Sequence, residues 1–169
     1  MLPSKLILKN NTTYAGLSPS WQNGLFGGEV VFNTGMTGYV ETLTDPSYAG
    51  QIVAFTYPLI GNYGIPHKKH WESKKIHASG VVVDSACENF SHQSAHFGLF
   101  EWLKKEQVPI ITGVDTRALT KILRNFGTMP AVINCGNDIK TEQIKKTLKL
   151  IPFQNKNLVK QVSIKQTKL

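Results

Sequence analysis

The chain has 169 residues, 41% of them hydrophobic and 9% aromatic, which excludes an intrinsically disordered chain and allows a core built without disulfides or metal. Its net charge of +8 sits at one end: from Lys140 onward eight lysines face one acid, Glu142, while eleven basic and ten acidic residues precede them. The body is therefore close to neutral, and a lysine-rich end without interleaved arginines and aromatics reads as a solvated surface, so no nucleic-acid partner is expected.

The first element in chain order is a hairpin. Leu6-Ile7-Leu8 and Thr13-Tyr14-Ala15 flank Lys9-Asn10-Asn11-Thr12, and asparagines tolerate the left-handed backbone of tight turns. Glycines 24, 27 and 28 mark a flexible approach to a strand, Glu29-Val30-Val31-Phe32. Ile52-Val53-Ala54-Phe55 is too short for a helix and rich in strand formers. Gly80-Val81-Val82-Val83 is β-branched and predicts a strand buried on both faces. A helix is predicted over 97–106, with Leu99, Phe100 and Leu103 at helical spacing. Asp115 is an N-cap for a second helix whose apolar face is Leu119, Ile122, Leu123 and Phe126, ended by Gly127. Ala131-Val132-Ile133 follows as a returning strand. Thr141 can cap a last helix with Ile144, Leu148 and Ile151 on one face, stopped by Pro152. Strands precede helices without regular alternation, which predicts a single compact α/β or α+β domain and not a doubly wound nucleotide fold.

Few residues carry chemistry of their own. Cys87 and Cys135 are far apart and read as free thiols in a reducing compartment. Neither sits on a G-x-C-x-G elbow, the sharp turn that exposes a nucleophilic cysteine beside a base, so no catalytic residue is expected. His92 and His96, four apart and just after Cys87, would share one face of a helix, but no fourth ligand is supplied and no metal is expected. The glycine-rich stretches 24–28 and 61–64 precede no Lys-Ser or Lys-Thr and read as turns allowing close backbone approach. Asp45-Pro46-Ser47 is a β-turn that leaves the Ser47 hydroxyl fixed. That hydroxyl either satisfies the turn's own backbone, the reading the turn chemistry favours, or meets one end of an amino-acid ligand. No apolar run approaches the roughly 20 residues of a membrane span, and Met1-Leu2-Pro3-Ser4-Lys5 is no signal peptide, so a cytoplasmic address without membrane contact is expected.

Several segments resemble, in one register, the amino-terminal domain of the carbamoyl-phosphate synthase small subunit. They are Gly28-Glu29-Val30-Val31-Phe32-Asn33-Thr34-Gly35-Met36-Thr37-Gly38-Tyr39, Thr44-Asp45-Pro46-Ser47-Tyr48, Tyr57-Pro58-Leu59-Ile60-Gly61-Asn62-Tyr63-Gly64 and Gly113-Val114-Asp115-Thr116-Arg117-Ala118-Leu119-Thr120, and 157–163 resembles the segment closing that domain. The resemblance implies a swivelling β/β/α fold over 1–152. It also implies that 153–169 is a basic segment leading toward a class I glutaminase domain, whose Cys-His-Glu triad this chain lacks. By the same resemblance Ser47 contacts glutamine bound in that neighbouring domain. Asp115 and Arg117 are expected as a structural anchor, Asp115 capping its helix and Arg117 bonding loop carbonyls or a partner carboxylate. The implied partners are the glutaminase domain and the large subunit, where ammonia meets bicarbonate activated by ATP and Mg to give carbamoyl phosphate for pyrimidine and arginine synthesis. The chain itself is expected to bind no cofactor. Two departures touch the docking surface: Val83-Asp84 stand where the family often has an arginine and an acid, and Glu88-Asn89-Phe90-Ser91 lacks the family's arginine. The alternative is a stand-alone, non-catalytic binding or regulatory module that lost the glutaminase half.

Overall fold

The computed structural model describes residues 1–136 and 139–151, together with Leu158, Val162 and Ser163. Pro152, the proposed boundary at 152/153 and most of the closing segment 157–163 lie outside the described residues. The chain opens with β1 (Leu2–Leu8) and β2 (Thr13–Ser18), joined by a turn in which Asn11 takes a left-handed φ of 68°. It continues through β3 (Gly24–Asn33), α1 (Tyr39–Thr44), a 3-10 turn (Pro46–Tyr48) and β4 (Gln51–Phe55). Short strands β5 (Leu59–Ile60) and β6 (Ile65–Pro66) precede β7 (Gly80–Val82), β8 (Ser85–Ala86) and β9 (Ala95–Phe97). Then come α2 (Leu99–Lys105), β10 (Ile110–Ile111), α3 (Thr116–Phe126), β11 (Met129–Cys135) and α4 (Thr141–Leu150).

The main sheet has seven strands in the order β10-β7-β4-β3-β11-β1-β2. Its first half is parallel, with Val31 opposite Val53 and Val53 opposite Val81. Its second half is antiparallel, with Phe26 opposite Ile133 and Ile133 opposite Leu6. The long strand β3 belongs to both halves, and the sheet curls until Leu17 of β2 exchanges two backbone hydrogen bonds of 2.8 Å with Thr112.

That curl makes the parallel half a central layer with two cores. Val53, Phe55, Val81 and Ile110 point to one side, where they pack with Tyr39, Val40 and Leu43 of α1 and Leu99, Trp102 and Leu103 of α2. Ile52, Ala54, Val82 and Ile111 point to the other, against Leu6, Leu8, Ala131 and Ile133 of the antiparallel half and Leu119 and Leu123 of α3. Alternation along a two-faced strand produces this division, which is why β4 and β7 read as unbroken apolar runs. The product is the mixed α/β domain that the order of elements implies.

Four local features differ from the sequence reading. Glycines 24, 27 and 28 are strand residues inside β3 and not an approach to it. A Cβ on Gly28 would stand 2.8 Å from Ile52 Cγ1, so the glycine admits the neighbouring strand at close range. The helix begins at Leu99, because Phe97 pairs with Ile65 in β9, and the wholly buried Trp102 joins its core face. Phe126 is 73% exposed, so only the earlier turns of α3 cover the core. Thr141 is the first helical residue of α4 and not its cap: Lys140 is extended at ψ 138°, and its carbonyl accepts from Gln143 and Ile144. No helix among the described residues is long and apolar enough to cross a membrane.

Candidate functional site

The polar run after β3 becomes a shelf on the outside of the parallel half. Thr34, Gly35, Met36 and Thr37 form an exposed loop, and α1 follows with Val40 and Leu43 wholly buried beneath it. Gly38 takes φ 84° at the N-cap, a conformation costly to a side-chain-bearing residue, and offers no side chain to cap α1. The cap comes from a distance. The Tyr63 hydroxyl accepts from Gly38 N–H at 2.8 Å and from Tyr39 N–H at 3.1 Å. The two tyrosine rings stack at 4.2 Å, and the Tyr39 hydroxyl donates to the Gly64 carbonyl at 2.7 Å. Burial pushes both phenols above the ordinary range, so Tyr39 keeps the proton it donates to Gly64 and Tyr63 accepts as a neutral hydroxyl.

The far end of α1 is tied down as firmly. The Thr44 hydroxyl donates to Val40 O and accepts from Glu72 N–H at 3.0 Å, while Ser73 Oγ donates to Thr44 O at 2.7 Å. Next comes the Asp45 turn. Asp45 Oδ1 accepts from Ser47 N–H at 2.8 Å, and Tyr48 N–H closes the turn on Asp45 O at 3.1 Å. The carboxylate thus does the job that the simpler reading gave to the serine. The Ser47 hydroxyl is exposed and has no hydrogen-bond partner among the described residues.

Asn33, at the end of β3, joins the pieces. Its Oδ1 accepts from Gly35 N–H at 2.7 Å, and its Nδ2 donates to Thr42 Oγ1 at 3.1 Å and to Tyr48 OH at 3.4 Å. One amide therefore holds the exposed loop, α1 and the Ser47 turn in a common frame. Asn33 and Tyr63 both stand in the segments that carry the family resemblance, with no role that sequence alone assigns. A polar residue closing the apolar run Val30-Val31-Phe32 is the signal for Asn33; nothing local marks Tyr63.

The Asp115 segment lies elsewhere. Asp115 Oδ1 accepts from Ala118 N–H at 2.8 Å and caps α3. Arg117 is exposed and bonds no carbonyl among the described residues, which leaves its guanidinium directed to solvent. Ser47 and the Asp115 turn therefore belong to different core layers, α1 above one and α3 on the other.

Neither thiol is bonded to a histidine among the described residues. Cys135 is buried, lies 3.4 Å from Ser18 Oγ, and burial pushes its thiol up, which suppresses the nucleophilic thiolate. Cys87 is half-buried. His92 and His96 do not share a helix. His92 bonds Ser94 Oγ at 2.7 Å, whereas His96 lies in β9 with its ring 5.7 Å from that of His67. No group of three or more His, Cys, Asp or Glu side chains among the described residues could hold a metal ion.

A sequence model of the family described as "Carbamoyl-phosphate synthase small chain, CPSase domain" matches residues 6–133. The chain belongs to this family. It is 50% identical over 133 residues to the carbamoyl phosphate synthase arginine-specific small chain of Bacillus subtilis, covering 79% of this chain and 37% of that one. With the carbamoyl phosphate synthase small chain of Buchnera aphidicola it shares 41% over 167 residues, 98% of this chain and 42% of the other. It is also 42% identical, over a gapped alignment of 170 positions that covers 84% of this chain and 7% of the other, to the multifunctional protein ura1 of Schizosaccharomyces pombe. The chain thus spans well under half the length of these relatives. Among solved structures, an aminopeptidase from Aneurinibacillus sp. strain AM-1 gives a TM-score of 0.41 at 15% identity over 83% of this chain and 32% of that one, too little to bear on function. The family match includes the whole Ser47 shelf and the Asp115 turn.

Proposed function

We propose that this chain is the amino-terminal supporting and docking domain of a glutamine-dependent carbamoyl-phosphate synthase small subunit, with a swivelling β/β/α fold. It lends Ser47 to glutamine held in the adjoining glutaminase domain. It also seats the small subunit on the large one, where ATP and Mg act. The observation that carries this reading is the Ser47 hydroxyl itself. It is exposed and unpartnered, yet its backbone is fixed by Asp45 and, through Tyr48, by Asn33. A hydroxyl on so fixed a backbone, with both its donor and acceptor free, suits one polar end of an amino acid. Hydrolysis of glutamine is assigned to the adjoining domain, in keeping with a buried Cys135 whose thiol is pushed up and a Cys87 that bonds no histidine among the described residues.

The test is Ser47→Ala in the assembled enzyme. Losing one hydrogen bond to a substrate typically costs about 0.5–1.5 kcal/mol, so the KM for glutamine should rise roughly two- to tenfold. Carbamoyl phosphate synthesis from free ammonia should be unchanged, because that route bypasses the glutamine site. An unchanged KM for glutamine would sink the role of Ser47. The docking role is tested separately by light scattering of this chain mixed with the large subunit, where a heteromeric peak is expected.

A further inference from the structure

Val132 is wholly buried yet belongs to neither of the two cores. Its neighbours Ala131 and Ile133 face the core beneath α3, so alternation along β11 turns Val132 to the opposite face of the sheet. Beside it in the ladder stand Ile7 of β1 and Gly27 of β3. The cover over this outer patch is α4, which rests mainly on β3 and β11. A Cβ on Gly27 would stand 3.1 Å from Ile151 Cδ1 and 3.3 Å from Thr147 Cγ2, so the glycine is the seat on which the end of the helix lies.

Apolar contact alone holds α4 there. Its best-covered side chains, Ile144, Thr147 and Leu148, are half-buried, and none of its residues is fully buried. No hydrogen bond or ion pair among the described residues joins it to the sheet, and the Thr147 hydroxyl donates to Gln143 O within the helix. Its first turn receives no side-chain cap. Ten residues are fewer than a helix needs to persist alone in water, so α4 off the sheet is unfolded. Toward β1 and β2 a gap of about 600 Å³ remains, with Lys5, Ile7 and Ala15 on the sheet side and Ile144, Lys145 and Leu148 on the helix side. The charged groups lining that gap are both ammonium groups, so no attraction between charges draws the helix down onto β1.

We propose that α4 is a releasable strap, which melts off the sheet as a unit while both cores stay folded and so turns the Val132 patch out to solvent. A segment with few buried contacts and no tertiary hydrogen bond opens at the low end of a protein's range of opening free energies. The Ser47 shelf lies over the other face of the domain, so the proposal stands apart from the glutamine reading. Amide hydrogen exchange of the full chain, followed residue by residue by NMR at low denaturant, reads the opening directly. The α4 amides are expected to share one opening equilibrium, with protection roughly 100-fold below that of the β11 amides and a weaker dependence on denaturant. Two variants address the seat. Gly27→Val directs its methyl groups at Thr147 and Ile151, and α4 protection should fall about a further tenfold while β11 and α3 keep theirs. Leu148→Ala, outside both cores, should lower α4 protection about fivefold through lost apolar contact. The strap is overturned by α4 amides that exchange only together with those of β11, in one global opening. Exchange of α4 at the intrinsic rate would overturn it too, because no helix would then be seated. So would variants that leave α4 protection unchanged, or that lower protection in β11 and α3 as much as in α4.

Discussion

The shelf of α1 and the helix α3 solve the same problem in opposite ways. Both are helices that bury leucines against the parallel layer, and both begin at a turn bearing residues of the family match. α3 is eleven residues long, capped by its own Asp115, and its buried positions recur at helical spacing. α1 has six residues, no side-chain cap and a left-handed glycine at its start. Its donors are met by Tyr63, and its far end by Glu72, Ser73 and His77, all distant in sequence. A six-residue helix is well below the length that is stable alone, so tertiary bonds must hold it. The element that presents Ser47 is therefore the one least able to form by itself.

The largest test of that contrast is a pair of cavity mutations. Leu43→Ala under the shelf and Leu119→Ala under α3 each remove a wholly buried leucine and should each cost about 2–5 kcal/mol in urea unfolding. Their local effects should differ. Amide exchange at Ser47 and Tyr48 should accelerate strongly in Leu43→Ala and change no more than global stability requires in Leu119→Ala. Equal acceleration in both would break the comparison.

The two caps give a finer pair. Tyr63→Phe leaves the Gly38 and Tyr39 N–H groups without their acceptor, and Tyr39 is buried, so a loss of about 1–3 kcal/mol is expected. Asp115→Ala removes one exposed capping bond whose donor can turn to water, with an expected cost of about 1 kcal/mol and a Tm lowered by roughly 2–4 °C. An unchanged Tm in Asp115→Ala would remove the claim that α3 stands on its own cap.

The same contrast explains what the sequence discloses. α3 is legible because its signals are local: a capping aspartate, leucines at helical spacing and a glycine after the last turn. The hairpin of β1 and β2 and the buried strands β4 and β7 are legible for similar reasons, since period and turn residues lie within one short window. α1 is not, because Val40 and Leu43 alone make no periodic pattern, and the bonds that stabilise it come from residues far along the chain. The glycines of β3 misled for a related reason. Glycine signals a turn from sequence, and only the packed structure reveals that Gly28 makes room for Ile52. At the site, Asp45-Pro46-Ser47 announces a turn, but which oxygen would satisfy it depends on geometry. The carboxylate reaches Ser47 N–H, which frees the hydroxyl.

The smallest expected effect concerns His77, whose backbone N–H donates to Leu43 O at 2.9 Å and whose ring lies 2.9 Å from Ser73 Oγ, itself bonded to Thr44 O. His77 is thus part of the distant support for α1 and has no counterpart under α3. Desolvation, followed by the nearby Lys75 charge, holds its imidazole below the usual histidine value, with Asp45 opposing. The folded protein therefore binds this proton less readily than the unfolded chain does. As pH falls through the unfolded value near 6.5, the unfolded state takes up the proton first, so stability drops with falling pH until the folded imidazole also titrates. In His77→Gln this contribution is absent. Thermal unfolding followed from pH 8 to pH 5 should show the parent losing slightly more Tm than the variant over that window. Protection factors at the Ser47 and Tyr48 amides, taken relative to the intrinsic exchange rate at each pH, should fall with acid in the parent alone, while those of α3 follow the global stability in both proteins. Identical pH profiles for the two proteins would show that His77 does not link protonation to the shelf.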